Sequence, residues 1–520
     1  MIDGFLSKLG LMKRSQHEQT IDRFRSALVH NRRGVRSGDI NRLTNSWKTT
    51  TLSADAQAQN ELKTDVARTR ELTDSNNYAN KFVWMCKSNV LGDCGIHFRN
   101  KAKDPDKVVA GKLVTGPLDI FANKRIEDAW WKWSKKENCS VNQGLTFFDI
   151  QGVVLESAIN DGNIFIRKVR GYSNPFRFAL QLIEFDHLDI EFNKRLDGGN
   201  KIRMGVETDQ WGKRVAYHFL VDNPNDNWFG ISPTLRRERV PASDVIHLFL
   251  PRRPNQTLGF PWMKTAAGHM HMAGAYEEAE VTASRIGASS MGFIQTKGEV
   301  EYNGEKDAAG NFLMDMEPGK IEQLPEGLEF QPWNPSHPNS GYGDFMKTCL
   351  RGIAAGLGGV SYNTLANDME SVNFASGKLG LDEERQYWKV IQRWFIEHFC
   401  DEVYKVWLQM AIMSGEVPLP MAKFEKFYAP EWRGRRWDYI NPQQEVAAIA
   451  QRLDRGLTSI SRELAKIGED RDELFQEIAD DKAAAEALGL TFDDASSKME
   501  LEHTKIESKQ QEPEPATPAS

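Results

Sequence analysis

The strongest apolar pattern in the chain lies between Tyr387 and Leu408, where Tyr387, Ile391, Trp394, Phe395, Phe399, Val403, Tyr404 and Trp407 recur at three- and four-residue spacings. That spacing predicts one long amphipathic helix over 377–412. Its apolar stripe needs a covering surface along roughly five turns. Ahead of it, Arg351 to Gly358 reads as a small-residue helix end that runs into a polar loop. The loop holds Ser, Asn, Thr, Asp and Glu with few large apolar groups, so it is expected to face water or a polyanion. On periodicity alone, a core helix behind a surface loop is the plainer reading.

The rest of the pattern alternates between helical and extended stretches. Residues 47–100 turn helical, and 145–250 read mainly as strands. Leu182 to Phe192 alternates apolar and acidic residues, which predicts a half-buried strand pairing Glu184 with Asp186 on one face, and Asp189 with Glu191. Such pairs suit a metal or an acid–base couple in principle. A solvated strand face is the simpler account, because no His or Gly-rich loop converges on them. Met204 to Val221 predicts a hairpin turning near Gln210-Trp211-Gly212. Pro261 opens a helix rich in Ala, Gly and Met. His269 and His271 sit two apart on different faces of it and make poor joint metal ligands. Short strand pieces are expected at Met291 to Gln295 and Leu328 to Gln331, then a helix from Ser340 to Gly358. Asn441-Pro442 starts another helix, with Val446, Ile449 and Leu453 as its inner stripe and Gly456 as its stop. Asp470 and Glu473 form a capping-box pattern. From Glu500 onward the composition predicts a disordered tail.

Composition narrows the function. At 520 residues the chain is long enough for about three domains. A net charge of −7 speaks against a general nucleic-acid binder. Residues 1–42 are locally basic, with nine Lys or Arg against four Asp or Glu, as suits a solvated arm or one that touches an acidic neighbour. Five cysteines without zinc-type spacing suggest reduced thiols. No apolar run approaches the ~18 residues of a membrane span, and the N-terminus lacks a signal-type apolar core, so a protein neither exported nor membrane-embedded is expected. The Walker, H-E-x-x-H, G-x-S-x-G and C-x-x-C patterns are all missing from the sequence. A terminase-type packaging enzyme is therefore disfavoured, as is a sequence-specific DNA-binding protein, for want of a basic recognition helix.

Several segments carry a resemblance. Gly359-Val-Ser-Tyr, Asp368-Met-Glu-Ser-Val-Asn-Phe-Ala-Ser and the Glu-Glu-Arg helix that follows are similar to the tunnel-loop region of tailed-phage portal proteins of the lambda family. Arg239-Val-Pro-Ala, Asp244-Val-Ile-His-Leu-Phe, Arg252-Arg-Pro-Asn-Gln and Gly259-Phe-Pro-Trp match that family's pattern in order and spacing. Gln256-Thr-Leu-Gly replaces the usual Gln-x-Arg-Gly, and Arg70-Glu71 stands where Arg-Asp is usual.

The resemblance implies an α+β portal fold that forms a ring of about twelve subunits. Its parts are an N-terminal arm (1–46), a wing (47–262), a first stem helix (263–286), a clip (287–339) and a second stem helix (340–358). A tunnel loop (359–376), a long helix (377–412), a connecting passage (413–440), a helical crown region (441–495) and the tail (496–520) complete it. In such a ring the loop meets passing double-stranded DNA, through Ser361, Asn363, Thr364, Asn367 and Asp368, then Glu370, Ser371, Asn373 and Ser376. The stripe Tyr387, Ile391, Trp394, Phe395, Phe399, Val403 and Trp407 packs between subunits. The implied partners are the terminase large subunit, a head-tail connector or adaptor, and the major capsid and scaffold proteins. The implied place is the virion, with the host cytoplasm during assembly. The resemblance implies no catalytic residue, cofactor or metal.

A ring-shaped conduit also makes sense of the charge. Each Lys or Arg bound to phosphate displaces counterions and adds adhesion. A pore through which DNA must slide should avoid summing such contacts over its subunits.

Overall fold

The computed structural model describes residues 51–105, 107–109, 112–114, 116–226, 236–288, 292–296, 328–332, 341–370, 372–437, 441–466 and 471–489. Residues 1–53 and 54–520 form separate units, and every element below belongs to the second. The basic arm (1–46), the tail (496–520), Ser371 and the Asp470 of the expected capping box lie outside the described residues.

Helix α1 (Ala54–Ser75) buries Ala58, Leu62, Val66 and Leu72 on one face, at the spacing of an amphipathic helix. The side chain of Asn76 accepts the amides of Tyr78 and Ala79 and so starts α2 (Asn77–Val90). Strand β1 (His97–Asn100) and the hairpin β2 (Lys107–Val109) and β3 (Lys112–Val114) follow. Next come α3 (Ile120–Trp133), capped by Asp119, and α4 (Phe147–Asn160), opened by a reciprocal Thr146–Asp149 capping box.

β4 (Ile164–Arg170) and β5 (Phe178–Ile183) pair antiparallel. Strands β6 (Lys194–Arg195), β7 (Lys201–Arg203), β8 (Val206–Thr208), β9 (Arg214–Leu220) and β10 (Arg237–Pro241) form an antiparallel sheet in the order β10-β9-β8-β7-β6. β11 (Val245–Leu248) then joins the other side of β4. Side chains alternate across β4, so Ile164 and Ile166 enter one core and Phe165 enters a second, smaller one. Leu62 and Val66 of α1 close the smaller core over Val206, Tyr217 and Phe219. The expected hairpin is present: Asp209 accepts the amides of Trp211 and Lys213, and Gly212 takes a φ of 84°.

Leu182 to Phe192 is not one strand. β5 stops at Ile183, and Phe185–His187 is a 3-10 turn. Phe185, Leu188 and Ile190 are still buried, because a turn satisfies that spacing as well as a strand does. The acidic pairs separate: Asp186 meets Arg70, Asp189 meets Arg237, and Glu191 meets Lys63. Arg70 also forks onto Asp161 at 2.7 and 2.8 Å, which gives the arginine of the Arg70-Glu71 pair a structural task. Burial pushes the Asp161 carboxyl up, and Arg70 opposes that rise.

The family-like segment from Arg252 to Trp262 is a clasp. Gln256 accepts the amides of Arg252 and Arg253 and donates to the Leu258 carbonyl. Thr257 holds Asp55 of α1 by its amide and hydroxyl. The fully buried Asn163 accepts the Gly259 amide at 2.6 Å and donates to the Gly259 carbonyl. A Cβ on Gly162 would stand 2.3 Å from the Phe260 carbonyl carbon, so only glycine lets these backbones approach.

After a 3-10 turn at Trp262–Thr265 comes α5 (Ala267–Ala288). β12 (Gly292–Thr296) pairs antiparallel with β13 (Leu328–Pro332), and α6 (Tyr342–Leu357) follows. A single short helix, α7 (Tyr362–Ala366), precedes α8 (Phe374–Phe395). The expected long helix is not regular throughout: a π-turn at Ile396–Cys400 joins α8 to α9 (Asp401–Ser414). β14 (Pro430–Arg433) returns to pair with β1. Then α10 (Pro442–Asp454), capped by Asn441, leads to α11 (Ile460–Lys466) and α12 (Arg471–Ala487). Gly456, with a φ of 67°, lies just past α10 as expected. The inner stripe expected on α10 is not buried, since Val446 is exposed and Ile449 and Leu453 are only half-buried. Among the described residues no helix is long and apolar enough to cross a membrane.

The larger core corrects the assignment of the Tyr387–Trp407 stripe. Ile391, Trp394, Phe395, Phe399, Val403 and Trp407 are buried inside this chain, and Tyr387 is half-buried. Trp407 meets Trp130 edge-on at 4.9 Å, Tyr404 lies 4.4 Å from Phe98, and Phe399 stacks on Phe147 at 5.9 Å. The covering surface comes from α3, α4 and β1 of the same subunit, so from Ile391 to Trp407 the stripe is core and is not open to a neighbour.

Candidate functional site: the polar loop after α6

α6 ends on two glycines, Gly358 and Gly359, with φ of 69° and 80°. The second is required by contact as well, because a Cβ there would stand 2.2 Å from the Tyr387 ring. This turn sets Ser361 at the start of α7, where its hydroxyl accepts the Thr364 amide. Glu384 of α8, buried, accepts both the Ser361 amide and the Thr364 hydroxyl at 2.5 Å. Ser361 and Thr364, read from the sequence as facing the channel, are therefore turned inward as a clamp. Asn363 is half-buried beside them.

The far side of the loop is held differently. Asn367 ends α7 in a left-handed conformation, φ 56°, and its side-chain oxygen accepts from Lys81 of α2. Asp368 accepts the Tyr362 hydroxyl at 2.6 Å and lies 3.7 Å from Lys347. Arg351 lies over the Tyr362 ring at 5.3 Å. Asn373 caps α8 through the Ser376 amide. Met369 and Glu370, between these anchors, are exposed, as are Asn367, Asn373 and Ser376 themselves.

Three cations thus flank a loop that contains none in its own sequence. Lys347 and Arg351, four apart in sequence, share one face of α6, a spacing that could have placed them beside the loop. Lys81 comes from nearly three hundred residues earlier and carried no local signal.

The Asp368 carboxyl is held below the usual carboxylate range, first by the Tyr362 hydroxyl and then by the Glu370 amide and Lys347. The Tyr362 hydroxyl is pushed up to about 12, chiefly by burial and then by Asp368. A carboxyl whose pKa is lower folded than unfolded stabilises above its unfolded value, and that stabilisation is lost as pH falls through the folded value. Acidification below the ordinary carboxylate range is therefore expected to free the loop, seen as faster pepsin cleavage within 367–373 as pH descends. Tyr362→Phe should move the onset to higher pH. An unchanged onset would exclude this contact as the loop's latch.

Comparison with known proteins gives the family of the chain. Residues 41–392 match the family described as phage portal protein, lambda family, and that span includes the loop. The chain is 32% identical over 456 residues to the probable portal protein of Halomonas phage phiHAP-1, covering 86% of each chain. It is 22% identical over 480 residues to portal protein B of Escherichia phage lambda, covering 86% of this chain and 88% of that one. Among solved structures, the neck of an empty gene transfer agent particle aligns at a TM-score of 0.40 and 14% identity, covering 78% of this chain and 93% of that one. The neck of the native particle aligns at 0.39 and 13%, covering 77% and 93%. With a match spanning most of its length and a relative that similar, the chain belongs to the lambda family of phage portal proteins.

Proposed function

We propose that about twelve copies of this portal protein close into a ring at one capsid vertex, and that double-stranded DNA passes through its channel. The observation that carries this reading is a loop pinned at both ends and bare in its middle, in a chain of the portal family. The clamp on Glu384 and the cap at Asn373 fix where the loop leaves and rejoins the helices. Met369 and Glu370 are left as the side chains best placed to meet DNA. The proposed partners are the terminase large subunit, the head-tail connector or adaptor, and the major capsid and scaffold proteins. The proposed places are the virion and, during assembly, the host cytoplasm.

End-on electron-microscope images of the purified protein test the ring. Closed rings with an open centre are expected at high concentration, alone or with scaffold or capsid protein added as nucleus. Particles that stay monomeric under both conditions would refute it.

A further inference from the structure

A second feature lies away from the loop. A cleft of about 1110 Å³ opens where the β8–β9 turn, β11 and the π-turn after α8 come together. At its wall is Lys168 of β4, whose side chain is only 7% exposed. Its nearest carboxylate, Glu402, is 3.7 Å away and half-exposed, longer than the about 2.7–2.9 Å of a charge-assisted hydrogen bond. A buried ammonium so loosely paired favours a further anion. On the rim, Lys201 and Lys213 are exposed, and among the described residues neither makes an ion pair. Trp211 stands at the hairpin tip, 86% exposed, on a turn made rigid by Asp209.

We propose that this cleft docks an extended acidic segment of a partner protein, seating one of its carboxylates on Lys168 and an apolar side chain on Trp211. Trp is among the residue types enriched at interface hot spots, and this one is exposed on a fixed turn. The cleft also contains Asp209, Glu397 and Glu402. Those carboxylates repel a continuous phosphate backbone, which disfavours nucleic acid. A peptide presents separate carboxylates to the lysines and backbone amides to the acids, so it satisfies both sets. The chain's own N-terminal arm is basic and has the wrong sign for this surface.

The test is a random library of peptides about twelve residues long, selected against the full-length protein and counter-selected against Lys168→Gln. Enrichment of sequences with spaced Asp or Glu and an aromatic or aliphatic residue is expected. In fluorescence anisotropy the selected peptide should bind at least about tenfold more weakly to Lys168→Gln, and about fivefold more weakly to Trp211→Ala. Trp211→Ala changes an exposed turn tip, so it keeps the test valid should the Lys168 variant misfold. Recovery of neutral peptides, no recovery at all, or equal binding by the Trp211 variant overturns the proposal. So does displacement of the peptide by a single-stranded oligonucleotide. Ring formation that shields Trp211 from the peptide would give the cleft to a second copy of this chain, and would equally overturn it.

Discussion

Trp407→Ala is expected to destabilise the fold of the subunit itself, not merely to disperse its assemblies. Trp407 is fully buried, with its ring against Trp130, Trp133, Tyr404 and Phe176. Emptying such a site costs about 3–5 kcal/mol through lost transfer and the cavity left behind. A domain has only about 5–15 kcal/mol in total, and in a unit as long as residues 54–520 the loss corresponds to melting about 3–5 °C lower. Trp407→Phe should cost less, because it keeps most of the ring contacts and removes an indole N–H that is buried without a partner. Val390→Asn, on the exposed side of the preceding helix, should leave melting nearly unchanged. Thermal melts of the three variants check this. A Trp407→Ala subunit that melts normally but forms no rings would return the stripe to the subunit interface.

That correction shows where the sequence ceased to be informative. A period near 3.6 showed that the stripe from Ile391 to Trp407 had to be covered. It carried no sign of what would cover it, since Phe98, Trp130 and Phe147 lie in the first third of the chain. Local signals did better. The Asn441-Pro442 start, the Gly456 stop and the turn around Trp211 are set by neighbouring residues, and they appear where expected. Leu182 to Phe192 failed because its buried residues suit a 3-10 turn equally, while its acids are claimed by Arg70, Arg237 and Lys63 from other elements.

The loop itself was legible as polar and exposed, but not in its internal division. Serine and threonine look alike in a sequence whether they face water or cap a helix. Only the position of Glu384, twenty residues on, shows that Ser361 and Thr364 point inward. The flanking cations also change the electrostatic picture. Asp368 lies beside Lys347 and accepts from Tyr362, so its charge is largely answered within the subunit. Glu370 is exposed, and in the proposed ring it is the loop carboxylate most open to DNA.

Replacing Met369 and Glu370 with Lys is therefore expected to slow DNA passage far more than replacing Asp368. Both side chains are exposed and take no part in the Glu384 clamp or the Asn373 cap, so folding and ring closure should survive. Each subunit of the proposed ring gains two cations, multiplied about twelvefold around the channel. Each phosphate contact steepens the salt dependence by about 0.9 in log K per log salt, so contacts summed around a ring become hard to break at low salt. Packaging by the double-Lys ring should fall by about tenfold or more at low salt and recover as salt rises. Asp368→Lys instead breaks the contact with Tyr362 and brings a like charge to Lys347, so any slowing from it comes with loosening of the loop. Packaging rates across a salt series, with pepsin cleavage of the loop as a parallel readout, separate the two effects. If the double-Lys ring packages at the unmodified rate at every salt concentration, the loop does not line the channel.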